Sequence, residues 1–134
     1  MNYESLVYGF IIDECEGDAD RIQTNRQAML ALPSVQEWPF LSQEMFSLPD
    51  DNTINFSQVV HFGASYKGIE YEWESWISHF EKLLQRMYWV SAKVHLDTVI
   101  SGTHTFTWET DGAFHVPGSD DIRVQCEWSR EGSL

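Results

Sequence analysis

The stretch from about Tyr71 to Arg86 constrains this chain more than any other. Trp73, Trp76, Ile77, Phe80, Leu83, Leu84 and Met87 recur at spacings of three and one. That rhythm puts them on one face of an α-helix, with Glu72, Glu74, Ser75, His79, Glu81, Lys82 and Arg86 on the other sides. A helix so apolar on one face must be buried against other elements. The rest of the chain can meet that demand, because 43% of its 134 residues are hydrophobic and 14% are aromatic. A disordered acidic tail would lack those residues. The length is one domain's worth, and a chain of this size buries roughly two-thirds of its unfolded surface.

Strand patterns flank the helix. In Ser5 to Asp13, Leu6, Tyr8, Phe10 and Ile12 fall on one face, with Val7, Gly9 and Ile11 on the other. Both faces are apolar, which predicts a central strand. The acidic run 13–20 then leads into a helix over about Ala19 to Leu32, ending before Pro33. Asp18 is placed to cap it and Asp20 to favour its positive end. Its apolar stripe (Ala19, Ile22, Met29, Leu30) is thin, which predicts a surface helix with one side buried. Three of the four prolines lie at 33, 39 and 49. The connection Pro33 to Asn52 also holds Trp38, Phe40, Leu41, Met45 and Phe46, so it should pack on the core as an ordered loop or a short helix. Thr53 to Phe62 alternates as a half-buried strand, with Ile54, Phe56, Val60 and Phe62 inward. Gly63 and Gly68 should then bracket a turn.

Beyond Met87 the period changes from helical to alternating. A helix reaching Ile100 would be about 30 residues long, against base rates, so Trp89 to Ile100 reads as a strand. A three-residue loop, 101–103, leads into a strand over Thr103 to Thr110. It would pair Leu96 with Trp108, Thr98 with Phe106, Asp97 with Thr107 and His95 with Glu109, which segregates polar from apolar faces. Asp111-Gly112 predicts a tight hairpin folding Ala113 to Val116 back on that strand. Ile122, Val124, Cys126 and Trp128 alternate with Arg123, Gln125 and Glu127 in a last strand. The expected architecture is a single α+β domain over residues 1–134: a mainly antiparallel sheet of five to six strands, with two helices packed on one face.

The charge is one-sided. Asp and Glu number 21 against 8 Lys and Arg, a net charge of −13. Nucleic acid and anionic membrane are therefore poor partners. The first fourteen residues carry no base, and the apolar run Leu6 to Ile12 is far short of the roughly 20 residues of a membrane span. Cys15 and Cys126 are far apart and read as reduced thiols, so the expected location is cytoplasmic. Asn55-Phe56-Ser57 matches a glycosylation sequon inside a predicted strand and reads as chance.

Catalytic and metal motifs fail on spacing. The position two residues after each of His61, His79, His95, His104 and His115 holds Gly63, Glu81, Asp97, Phe106 and Pro117, never a hydroxyl. No His-Glu-x-x-His or Cys-x-x-Cys occurs. Gly63 to Gly68 has lysine where a nucleophile elbow needs its second glycine. A calcium loop starting at Asp13 would put Cys15, Gly17 and Thr24 at ligand positions. No cofactor and no metal are expected.

What remains is a set of acidic clusters with aromatic neighbours. The candidate partner-binding residues are Asp13, Glu14, Glu16, Asp18 and Asp20, then Asp50 and Asp51, then Glu109, Asp111 and Phe114. His95, Thr107, Glu109 and Phe114 would share the less buried sheet face. The alternative is that the Pro33 to Asn52 connection covers that face. Glu70, Glu72 and Glu74 form another cluster, for which the helix dipole is sufficient reason.

In size, acidity and layout the chain resembles the immunity proteins of bacterial polymorphic and contact-dependent toxin systems. The likeness rests on the stretch Trp73–Trp108, where an aromatic helix runs into WVSAKVHLDTVISGTHTFTW. It matches no family motif residue by residue, so it assigns no functional residue. It implies a protein that binds a cognate toxin or effector domain in the producer's cytoplasm and blocks its active site. Charge separately points to a basic partner. Two other classes stand beside this one. A small enzyme would use His95 or His104 with Glu109 or Asp97, and an adaptor or chaperone would hold a secreted effector before export.

Overall fold

The alternation in the first strand sets the architecture. The computed structural model describes residues 4–14, 18–33, 41–47, 58–99 and 101–129. β1 (Glu4–Asp13) lies between β2 (Gln58–Lys67) and β3 (Ser91–Thr98), antiparallel to both. β4 (Gly102–Thr110) and β5 (Ile122–Ser129) extend the sheet to the order β2-β1-β3-β4-β5. α1 (Ala19–Leu30) and α2 (Trp73–Gln85) pack on one face. The result is an antiparallel α+β fold with five strands, as the sequence predicts.

One face of each strand builds the core. Val7 and Ile11 of β1, Val60, Phe62 and Tyr66 of β2, Ala92, Val94 and Leu96 of β3, and Trp108 of β4 are buried there. Trp76, Phe80, Leu83 and Leu84 of α2 cover them, and the Phe80 ring lies 5.0–5.3 Å from those of Phe62, Trp76 and Trp108. This is the face that the helical period marks in the sequence. A 3-10 turn, Ile69–Glu72, precedes α2 and starts at Gly68, whose φ of 71° is left-handed. Gly9 answers a different need. A Cβ there would run into the Lys93 carbonyl of β3, so only glycine lets the two strands approach this closely.

Several expectations are corrected. β1 is central, but its two faces differ: Leu6 and Tyr8 are 49% and 41% exposed, because the helices cover only the other side. α1 has the predicted cap, with Asp18 accepting from the Asp20 and Arg21 amides. Its buried residues are Asn25, Ala28 and Met29, while Ala19 and Leu30 are exposed. Asn25 faces inward because its amide satisfies both backbone groups of Tyr88, at 2.9 and 2.7 Å. Gly63 makes no turn, since β2 runs through it to Lys67 and pairs it with Tyr8. Residues 53–57 of the predicted strand, with the sequon, lie outside the described residues.

The β3–β4 register differs by four residues from the expected one. Ala92 pairs with Trp108, Val94 with Phe106, Leu96 with His104, and Thr98 with Gly102. The loop is still three residues long but spans 99–101. Thr98 Oγ1 holds Ser101, and Gly102 takes a φ of 81°. A shift of four leaves every side chain on its face, which is why segregation of faces alone could not tell the two registers apart. His95 thus faces Thr105, not Glu109.

Asp111-Gly112 makes no hairpin. β4 pairs with β5 instead, from Thr110↔Ile122 to Thr103↔Ser129. The chain between them crosses to the end of β3, where His115 forms an isolated bridge with Trp89. His115 drives this detour: it is fully buried, its Nδ1 lies 2.8 Å from the Met87 carbonyl, and its ring stacks on Trp89 at 5.1 Å. Of the Pro33 to Asn52 connection, 41–47 packs on the helix side, with Leu41, Met45 and Phe46 buried and Phe46 bridging Phe62. These seven residues do not cover the opposite face of the sheet, and 34–40 and 48–52 lie outside the described residues.

Candidate functional site

The antiparallel register gathers one end of every strand. The last residue of β1, Asp13, pairs with Gln58, and Ile12 pairs with Ser91. The same end of the sheet holds Thr110 of β4 and Ile122 of β5. The loops that leave this end carry most of the candidate residues. Glu14, Asp18 and Asp20 follow β1, Glu109 and Asp111 close β4, and Phe114, Asp120 and Asp121 lie between β4 and β5. With Asp13 that makes eight carboxylates from two separate stretches, and two of the chain's guanidinium groups, Arg21 and Arg123, stand among them. Glu16, Asp50 and Asp51 lie outside the described residues.

These acids have different roles. Asp13 is buried and ion-paired with Arg21, so it faces the interior. Burial pushes its carboxyl above the usual carboxylate range, and the hydrogen bond and charge of Arg21 pull it only part of the way back. Asp18 is the α1 cap and is exposed, as are Glu14 and Asp20. Asp111 pairs with Arg123, and both remain open to solvent. Glu109 is exposed beside Arg123 in the register. Asp121 accepts from Thr110 and lies 3.7 Å from His115 Nε2.

Phe114 is a half-exposed aromatic at this end, beside Arg21 of α1 and not on the sheet face where it was expected. Its ring is 37% exposed and lies under the Arg21 guanidinium, whose carbon is 4.1 Å from the ring centroid. Tyr88 flanks the same guanidinium at 5.1 Å and the Phe114 ring at 6.4 Å. Arg21 thus ties the start of α1 to both β1 and the β4–β5 connection. His115, the next residue, anchors that connection from inside, with Ser119 O at 3.3 Å from its Nε2. An exposed aromatic on a pinned support, at the end of the sheet that also carries these carboxylates, loses little freedom on binding and can centre an interface.

Sequence reasoning missed Arg21 and His115 as parts of this site. The signal for Arg21 was present, because it is the first base in the chain and follows an acidic run directly. His115 carried no signal, since its nearest partner is the backbone carbonyl of Met87, 28 residues away.

The groups weighed for an enzyme do not meet. His95 is on the face away from the helices, 2.9 Å from Thr105 Oγ1 and with its ring 5.0 Å from that of Tyr8. Burial, with a smaller effect from Lys93, lowers its pKa below 6.5. His104 is on the helix face, 3.3 Å from Ser101 Oγ. Glu109 is four residues along β4 from the partner of His95, or about 13 Å. Asp97 lies on the face of His95 and accepts from Thr103. Among the described residues no group of three His, Cys, Asp or Glu could hold a metal ion, and no helix is long and apolar enough to cross a membrane. Cys126 is a free, exposed thiol on β5, and Cys15 lies outside the described residues.

Compared with known protein families, characterised proteins and solved structures, the chain matches none.

Proposed function

We propose that this chain is an immunity protein that binds a cognate, basic bacterial toxin domain in the cytoplasm of the producing cell and neutralises it by blocking its active site. The observation that carries the reading is the acidic end of the sheet, where carboxylates from the β1–α1 and β4–β5 connections share one end with the half-exposed ring of Phe114. Complementary charge would steer association towards ~10⁸–10⁹ M⁻¹s⁻¹ at low salt, with the buried aromatic slowing release. The resemblance in size, acidity and helix-to-strand layout supports the same class.

The test begins with co-purification from the native host and co-expression with the polypeptide recovered. Restored growth in cells making that polypeptide supports neutralisation. Failure to restore growth overturns it, and a partner whose toxic site stays active in the complex assigns an adaptor instead. Kinetics with the identified partner then test the surface. Association should slow at least tenfold as ionic strength rises from about 10 mM to 1 M, where the screening length falls from ~30 to ~3 Å. Phe114→Ala should speed dissociation at least tenfold. A flat salt dependence removes the electrostatic part of the proposal.

A further inference from the structure

A second feature lies on the helix side of the sheet. A cavity of about 230 Å³ opens between the end of α1 and the C-terminal half of α2. Its apolar wall is Ala31, Leu32, Pro33, Leu41 and Leu83, and its polar side is His79, Lys82 and Arg86. We propose that this cavity is a binding site for a small amphipathic carboxylate, a free acid with a short apolar body.

Three observations converge on that chemistry. The first is spacing. His79 and Lys82 of α2 and Arg86, the residue that caps its C-terminal end, follow one helical face, so an ammonium and a guanidinium lie about 6 Å apart along the axis. The second is charge placement. The chain has only eight Lys and Arg against 21 acids, yet two of the eight border this one hollow. No described carboxylate lies within ion-pair distance of Lys82 or Arg86, whereas Arg21 and Arg123 both have one. The third is the wall. Leu41 and Leu83 are buried at 4% and 2% exposure, so the hollow reaches the edge of the core and offers apolar contact beneath the cations. The backbone around it is fixed: Gln43 donates its side-chain amide to the Leu32 carbonyl at 2.8 Å and its backbone amide to the Pro33 carbonyl at 3.0 Å. His79 Nδ1 is held 2.7 Å from the Ser75 carbonyl, which orients the ring.

The arrangement selects among anions. A phosphate would meet the two cations but gain nothing from five apolar lining residues. A neutral alcohol would fill the wall and leave the cations without a counter-charge. A carboxylate on a short chain satisfies both, and arginine matches its planar pair of oxygens. The volume is below the ~300–1,000 Å³ of pockets for drug-sized ligands, which fits a small acid.

The test titrates the full chain with sodium octanoate, octanol, inorganic phosphate and a short peptide with a free C-terminus, followed by amide chemical shifts and calorimetry. Octanoate should bind saturably, with a dissociation constant of roughly 1 mM or tighter. Its amide shifts should centre on residues 31–32, 41 and 79–86. The double variant Lys82→Ala with Arg86→Ala, both exposed positions, should weaken octanoate at least tenfold while leaving the circular dichroism spectrum unchanged. His79→Gln should weaken it less. Absence of octanoate binding, or equal binding by octanol, overturns carboxylate recognition. Tighter binding of phosphate overturns the apolar part, and tighter binding of the peptide moves the site from a free acid to a chain terminus. None of these outcomes depends on the partner of the acidic end.

Discussion

Replacing Arg21 with Met should be the most costly single change at the acidic end. Arg21 and Asp13 are both largely removed from water, with side-chain exposures of 13% and 3%. Removing one member of such a pair leaves the other charge buried without compensation, at a cost of about 3–5 kcal/mol. Loss of the guanidinium from the Phe114 ring adds about 0.5–2 kcal/mol. With a urea slope near 2 kcal/mol/M, the midpoint of equilibrium unfolding should fall by roughly 2–3.5 M. The loss should also depend on pH. The carboxyl of Asp13 already titrates above 3.8 in the folded chain, so the folded state holds its proton longer than the unfolded state does. Stability from this group is therefore present in acid and lost as pH rises through the raised value. Without Arg21, both of its lowering effects vanish and the carboxyl moves further up. The gap between the parent and Arg21→Met should widen from pH 4 to pH 7. Adding Asp13→Asn should recover at least about 1 kcal/mol of the loss, as expected for residues in contact. A gap below about 1 kcal/mol at pH 7, or one unchanged between pH 4 and 7, would refute the account of a compensated buried charge.

Other measurements follow from the core and from the open face. Phe80→Ala removes the ring shared by Phe62, Trp76 and Trp108, and should cost about 3–5 kcal/mol in urea unfolding with loss of near-ultraviolet dichroism. An intact near-ultraviolet signal would show that the aromatic cluster does not depend on it. His95 should titrate below 6.5 by NMR, and Lys93→Met should raise its midpoint part of the way back. Because its folded pKa is depressed, its share of stability is lost as pH falls below 6.5. A midpoint at or above 6.5 would contradict the burial of this ring.

How much was legible depended on whether a residue's partner was near in sequence. α2 could be read because its period carries its own signal, and Asp18 because a cap acts on the two or three residues after it. The five-stranded antiparallel fold followed from local alternation. The inward turn of Asn25 was hidden, because its partner is the backbone of Tyr88. The β3–β4 register was hidden for a geometric reason, since shifts by an even number preserve the faces. The hairpin expected at Asp111-Gly112 lost to a buried imidazole that lies against the Met87 carbonyl and the Trp89 ring. Acidic clusters were visible as runs, but only the register shows that the runs at 13–20 and 109–121 meet at one end.

The place of β1 bears on how the chain is made. β1 is made before the other four described strands and ends up with a neighbour on each side, the later of which begins at Ser91. Its two ladders are long-range, whereas β3 and β4 are joined by a three-residue loop. During synthesis β1 can pair with β2 early, yet its other edge stays open until β3 has left the ribosome. That edge carries Val7, Ile11 and their outward neighbours Leu6 and Tyr8, the sort of segment that recruits another chain. A nascent chain stalled near residue 90 should therefore be the form most prone to aggregate, and release past Thr98 should end that exposure.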